Sequence, residues 1–304
     1  MNPQEPSSDQ FSGRMGLIFA TIGAAIGTGN IWRFPRMVGA NGGGSFLVPW
    51  LIFLFLWSIP LIIAEFALGK RSRTGTVGTF RIFAGPKFAW MGLWTAWIPT
   101  AIGFYYAVVT GWCLNYFQSA IRGGLTEGVD TIEVWNNFLQ APGQVIIFQL
   151  IAILITMAAI WKGAKAIEKT NVLLMTSLFV LLFLALFLAF VMDFEDGTLD
   201  GFVYMFSIQP EYLMEPETWI NGLSQSAWSC SAGMGMAITY SVYMRKDEDT
   251  TLNAATMCLA NNSISIIAGL TVMMAVFAVS DDPLSAVGGG SSAITFLVLP
   301  EVFA

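Results

Sequence analysis

Residues 23–35 read Gly23-Ala24-Ala25-Ile26-Gly27-Thr28-Gly29-Asn30-Ile31-Trp32-Arg33-Phe34-Pro35, inside an apolar run that begins at Met15. Gly23 and Gly27 alone would form a notch where two helix backbones approach closely. A third glycine two residues on, with Asn30 beside it, points instead to a local unwinding. Unwound backbone at membrane depth is tolerable only where it faces protein, water or ligand. Its freed carbonyls can hold a cation, and the N-terminus of the half-helix that follows attracts an anion. The same irregularity recurs in Ser229-Cys230-Ser231-Ala232-Gly233-Met234-Gly235. Two interrupted spans in corresponding positions of two halves are a pointer to a transporter site at the bilayer midplane.

The rest of the chain supplies the membrane segments. Of 304 residues, 55% are hydrophobic and 11% charged, against about 25% charged in soluble domains. Apolar runs of about 18 or more residues read as spanning helices, and they fall at 15–38, 45–69, 88–121, 145–161, 165–192, 219–243 and 253–280. The predicted organisation is a polar tail (1–14), a first five-helix repeat (15–192), an acidic loop (193–218), two helices of a second repeat (219–280) and a closing loop (281–304).

Charge orients the bundle. Lys70, Arg71, Arg73, Arg81 and Lys87 follow the second run, Lys162, Lys165 and Lys169 flank the turn after the fourth, and Arg245 and Lys246 follow the sixth. The intervening loops are acidic: Glu127, Asp130 and Glu133, then Asp193, Glu195, Asp196, Asp200, Glu211, Glu215 and Glu217. By the positive-inside rule the basic loops are cytoplasmic, so the N-terminus is expected inside and the chain end outside, in the plasma (cell inner) membrane.

Several functions are disfavoured. A net charge of −6 argues against a nucleic-acid partner. There is no histidine for imidazole chemistry or His-ligated zinc, no G-x-S-x-G and no metal-binding cluster, so an intramembrane enzyme is the least favoured reading. Cys113, Cys230 and Cys258 lie in apolar runs and read as buried, inert thiols. Glu65 is an intramembrane acid, read as functional or as a structural acceptor for unwound backbone. The sequon Asn261-Asn262-Ser263 lies within an apolar helix and is discounted, Gly42-Gly43-Gly44 reads as a turn, and the Phe- and Leu-rich run 178–190 reads as lipid-facing. A seven-span receptor fits the helix count, but the N-terminus lies on the wrong side for it.

The chain resembles the neurotransmitter:sodium symporters, and is similar to their bacterial amino-acid members. The resemblance rests on Arg14-Met15-Gly16-Leu17-Ile18, on Gly27 through Pro35, on Asn41-Gly42-Gly43-Gly44-Ser45-Phe46, on Ile59-Pro60 with Glu65, on Tyr105-Tyr106, and on Thr239-Tyr240-Ser241-Val242-Tyr243-Met244-Arg245-Lys246-Asp247. It implies an all-α membrane protein of leucine-transporter-like inverted-repeat fold, truncated after the seventh span, and a sodium-driven symporter of an amino acid held between the two breaks. A first sodium would take the Ala25 carbonyl with Asn30, Ser229 and Asn261, joined by the substrate carboxylate. A second, partial site would take the Gly23 and Ile26 carbonyls, with its remaining ligands on span eight.

The resemblance places the substrate carboxylate on the backbone at Thr28 and Gly29 and on the Tyr106 hydroxyl. Ala25, Ile102, Trp228, Ser231 and Met234 would complete the pocket. Monoamine members carry an Asp where this chain has Gly27, so a neutral, hydrophobic zwitterion is the expected substrate. Chloride-independent members place a carboxylate where this chain has Ser265, so chloride stimulation is expected, with Trp50, Gln225, Ser229, Asn261 and Ser265 around the anion. Arg33 is the outer-gate cation. The inner-gate Arg and Trp of the family are replaced by Ser8 and Phe11. Because spans eight to twelve lie beyond residue 304, this chain is expected to be inactive alone and to need the missing C-terminal helices or a separate second half. The alternative is a non-transporting half-protein or regulatory membrane partner that keeps relic ion ligands.

Overall fold

The computed structural model describes residues 11, 14–126, 128–191, 198–288, 296, 297 and 300. Ser8, most of the tail, and parts of the loops predicted at 193–218 and 281–304 lie outside them. Among the described residues the chain is helical, with one isolated bridge between Gly43 and Ile208.

The first predicted span is three pieces: α1 (Arg14–Ala25), α2 (Thr28–Ile31) and α3 (Arg33–Ala40), with Ile26 and Gly27 non-helical. The second is α4 (Gly44–Phe53) and α5 (Ile59–Ser72), joined by a π-helical turn at Leu54–Ser58. The wide turn has a local cause. Pro60 has no N–H to give, and its ring opposes the carbonyl four residues earlier. One extra residue in the turn relieves that conflict, and the Ile59 N–H bonds to Leu54 O, five residues back. Ser58 Oγ, in the same turn, shares a buried hydrogen bond of 2.8 Å with Ser226 Oγ.

A short helix α6 (Gly75–Phe83) leads into α7 (Ala89–Ile121), the third span. The outer helix α8 (Thr131–Leu139) is capped by Asp130, which accepts from the Ile132 and Glu133 N–H groups and satisfies two of the orphan donors of that end. Then come α9 (Pro142–Ile160) and α10 (Ala164–Val191). The acidic stretch predicted as a loop contains α11 (Thr198–Phe206) and α12 (Pro210–Leu213). The sixth span starts at Pro216, earlier than the predicted 219, because proline is pre-organised for a first helical position. Its halves are α13 (Pro216–Ser229) and α14 (Met236–Ser241), separated by turns over 230–235. Finally α15 (Thr250–Val279) is the seventh span and α16 (Pro283–Gly288) follows it.

Five of these segments are long and apolar enough to cross a membrane: Gly44–Ser72, Pro86–Ile121, Pro142–Ile160, Ala164–Val191 and Thr250–Val279. The first and sixth predicted spans fall short of that length because each is interrupted. The centre of the bundle is α15, 61% buried over its apolar window against 6% for α9. It packs against α1, α2, α3, α5, α10 and α11. The broken sixth span lies along the unbroken second, α13 on α4 and α14 on α5. On α10, Leu182 and Ala189 are buried, whereas Val180, Leu181, Phe183, Leu184 and Phe187 are exposed, as a helix against hydrocarbon would be.

Outside the spans, α11 is seated on the start of α4. Gly44 N–H donates to Ser207 O at 2.9 Å, and Ser45 Oγ both donates to Gln209 O and accepts from Gln209 N. Tyr204 donates its hydroxyl to Gly39 O at 2.9 Å. Burial, with Tyr212 adding to it, pushes that phenol up to about 12, so it remains a donor at any physiological pH. Gly43 has φ +60°, and a Cβ there would overlap the Tyr204 carbonyl oxygen. Gly43→Ala is expected to cost about 1–3 kcal/mol through the left-handed backbone and that overlap together; thermal unfolding in detergent measures it, and an unchanged midpoint would contradict the argument.

Candidate functional site

The break in the first span begins with two diverted hydrogen bonds. In an unbroken helix the Gly27 N–H would bond to the Gly23 carbonyl and the Asn30 N–H to the Ile26 carbonyl. Here Gly27 N–H donates to the Asn30 side-chain Oδ1 at 3.2 Å, and Asn30 N–H donates to Gly27 O at 3.0 Å. The two carbonyls deprived of those donors, Gly23 and Ile26, are the pair predicted for the second sodium.

Asn30 then reaches the central helix. Its Nδ2 donates to Asn261 Oδ1 at 3.2 Å and to Ser265 Oγ at 2.7 Å. Asn261 Nδ2 donates to Ser229 Oγ at 2.7 Å, the last helical residue of α13. Asn30, Asn261, Ser229 and Ser265 are all buried, so this chain of amides and hydroxyls ties both broken spans to α15 in a low-dielectric interior where each bond counts for more. The predicted first-sodium side chains, Asn30, Asn261 and Ser229, are thereby brought together. The oxygens on offer are amide, hydroxyl and carbonyl, a set suited to a hard cation.

The break in the sixth span is built from left-handed backbone: Ser231 at φ +55°, Gly233 at +85° and Gly235 at +71°. For Ser231 that conformation costs about 1–2 kcal/mol, and the residue faces the cavity. Ala232 N–H bonds back to Ala227 O at 2.9 Å, and Gly233 N–H donates to Glu65 Oε1 at 2.7 Å. Glu65, buried on α5, therefore serves the unwound backbone, the structural of its two readings.

Between the two breaks lies a cavity of about 400 Å³. Ala25, Gly29, Ile102, Tyr106, Trp228, Ser231 and Met234 from the predicted substrate set line it, as do Gly23, Ile26, Asn30, Gln225 and Ser229 from the ion sets. Thr28 opens α2. The Tyr106 hydroxyl lies 3.3 Å from where a Cβ on Gly27 would stand. Four lining residues were missed: Pro99 and Gly103 on α7, Gly27, and Met236. Residues 99, 102, 103 and 106 fall on one face at helical spacing, so Ile102 and Tyr106 were enough to find the first two.

Arg33, the predicted outer-gate cation, is held within this chain by neutral groups. Its Nη1 donates to Gln225 Oε1 at 2.7 Å and its Nη2 to Ser224 Oγ at 3.1 Å. The guanidinium also lies 5.5 Å from the centre of the Trp228 ring, within cation–π range. Two neutral oxygens and an aromatic face hold the cation, with its amide partner 192 residues away in sequence.

The predicted chloride set divides. Ser229 and Ser265 already serve the amide network, and Ser265 Oγ also donates to Asn261 O at 3.1 Å. Trp50 is fully buried, and among the described residues its indole N–H has no hydrogen-bond partner, an unmet donor of the kind an anion would satisfy. Phe11, at the predicted inner gate, stacks at 6.3 Å on Tyr240, and its N–H bonds to Tyr243 O.

The sequence pattern of the sodium:neurotransmitter symporter family matches residues 8–138 and 136–304. An uncharacterized sodium-dependent transporter of Bacillus subtilis (strain 168), YhdH, is 30% identical over 312 residues, 100% of this chain and 66% of that protein. The sodium-dependent neutral amino acid transporter SLC6A17 of Rattus norvegicus is 28% identical over 293 residues, 86% of this chain and 40% of its own length. The crystal structure of MhsT in complex with L-phenylalanine superimposes with a TM-score of 0.87 at 32% identity, over 98% of this chain and 66% of that one. The chain thus spans about two thirds or less of the length of these relatives.

The Glu65 contact makes a prediction. Glu65→Gln keeps an acceptor for Gly233 N–H and is expected to fold with a small loss, whereas Glu65→Leu removes it at about 1–3 kcal/mol. Equal thermal midpoints for the two variants would refute the assigned role.

Proposed function

The chain belongs to the sodium:neurotransmitter symporter family, and from that premise we propose that it takes part in sodium-coupled symport of a neutral, hydrophobic amino acid across the plasma (cell inner) membrane. Its N-terminus would then be cytoplasmic and the described end of the chain extracellular. The observation that carries the reading is the meeting of two broken spans at one cavity whose lining holds no charged side chain.

Charge balance follows from that lining. A lone amine would sit there with no counter-charge, as would a lone carboxylate, at the cost of burying an unpaired ion. A zwitterion brings both. Its carboxylate can lie at the N-terminus of α2, at Thr28 and Gly29, and accept from the Tyr106 hydroxyl. A sodium ion among Ala25 O, Asn30, Ser229 and Asn261 would then balance the carboxylate, so each stabilises the other. Because linkage is reciprocal, sodium raises amino-acid affinity by the factor by which the amino acid raises sodium affinity. Gly23 and Ile26 carbonyls would offer the second sodium two of its ligands. Ile102, Trp228 and Met234 suit an apolar side chain, and the flexible thioether can adapt to bulk.

For chloride, Trp50, Gln225, Ser229, Asn261 and Ser265 stand where an anion would offset sodium charge, and the unmet Trp50 N–H is the local support.

The chain alone is not expected to transport, so binding is the readout: binding of radiolabelled L-leucine and L-phenylalanine to the purified chain in nanodiscs tests the main reading. Both are expected to bind in sodium and not in choline, with Asn261→Ala raising the half-saturating sodium concentration about tenfold or more. Equal binding in sodium and choline would overturn it. Gly27→Asp, which puts a carboxylate beside the Tyr106 hydroxyl, is expected to abolish amino-acid binding. Replacing chloride by gluconate is expected to lower binding moderately, and Trp50→Phe to reduce that difference; identical binding in the two anions would remove the chloride part of the reading.

A further inference from the structure

The face of α10 that packs on α1 and α15 carries Ala164, Glu168, Asn171, Met175, Leu178 and Leu182, spaced alternately four and three apart. That is the stripe of a buried helix, and it is apolar except at Glu168 and Asn171. These two polar residues meet α1 at its glycines. Glu168 packs over Gly16, and Asn171 lies over Gly23, with its Cγ 3.0 Å and its Nδ2 3.2 Å from where a Cβ on that glycine would stand.

Asn171 does more than fill a notch. Its Nδ2 donates to the Ala20 backbone carbonyl at 3.2 Å. An asparagine in a spanning helix is costly unless bonded, and here the bond goes to the main chain of the helix that is about to break. Ala20 lies five residues before Ala25, the end of α1, and so in the turn before the last. The last turn carries the Gly23 carbonyl, and the Ile26 carbonyl follows it directly. Both have lost their helical donors to the Asn30 rearrangement, so their direction is set by the α1 backbone that carries them and not by a hydrogen bond of their own.

We propose that Asn171 is a positioning residue for the second cation site. Gripping the end of α1 from the fifth span, at Ala20 and over Gly23, it keeps the Gly23 and Ile26 carbonyls turned toward the cavity. Asn171 itself touches neither ion nor substrate in this arrangement; it acts through Ala20 and Gly23. The inference rests on the reading of those two carbonyls as sodium ligands.

The test uses the full chain in nanodiscs and reads two quantities separately: the half-saturating sodium concentration for L-leucine binding, and L-leucine affinity at saturating sodium. Asn171→Leu keeps the volume without the donor, and Asn171→Ala removes both. Each is expected to raise the sodium midpoint about fivefold, as the loss of one net hydrogen bond would, with leucine affinity at saturating sodium unchanged. Met175→Ala, one turn along the same stripe, weakens packing but not this contact and is expected to leave the sodium midpoint unchanged. An unaltered midpoint in the folded Asn171 variants, or an equal rise in Met175→Ala, would overturn the proposal. Hydrogen exchange of the unaltered chain gives an answer that does not depend on folding of the variants. Sodium is expected to protect both the segment holding Gly23 and that holding Asn171, and protection of the first alone would also overturn it. If the unaltered chain shows no sodium-dependent binding, the underlying reading has failed, not this contact.

Discussion

The bond from Asn30 to Asn261 connects the refolded part of the first span to the central helix, and the remaining geometry hangs from it. Asn30 is freed to make it only because the backbone unwinds at Ile26 and Gly27. Asn261 in turn holds Ser229, where the sixth span breaks. Two helices interrupted separately would have no reason to align their gaps. The amide pair of Asn30 on α2 and Asn261 on α15 aligns them, because each gap leaves polar groups that must find partners away from water. The position of the cavity follows from that requirement, not from the packing of apolar side chains around it.

A second consequence concerns charge. The described groups that line the cavity are neutral, and Arg33, bonded to the lining residue Gln225, is held by neutral oxygens and an indole. On the proposed reading, such a site would have no charge to discriminate by and would select for the sum of what enters. A cation and a carboxylate arriving together would leave a smaller residual field than either alone, so mutual dependence would need no moving part.

Much of this was legible in the residues themselves. Glycine-rich stretches located both breaks, and in the sixth span Gly233 and Gly235 take left-handed backbone that glycine adopts without penalty; Ser231 is the exception, and nothing in its identity foretold φ +55°. Apolar runs located the continuous spans to within a few residues. The wide turn at Leu54–Ser58 had a signal in Pro60 that a length count does not use. α11 and α12 were lost inside an acidic stretch because charge was read there as loop, although Pro210 marks a helix start. For Arg33 the contact is non-local: its partner Gln225 lies on another span, and no local pattern says that an arginine will settle for a glutamine.

The second span deserves to be seen as a template for the sixth. α13 lies on α4 and α14 on α5, while their own covalent link is a run of turns. The angle between the two halves of the sixth span is therefore set by the unbroken helix beneath them, much as a splint sets a broken bone. The wide turn, where Ser58 meets Ser226, shifts the helical phase by one residue, so that α4 and α5 each present the face their own half requires. Any swing of one half against the other must either shear along this splint or bend it at its wide turn. The sixth span cannot be repositioned without the second registering the change.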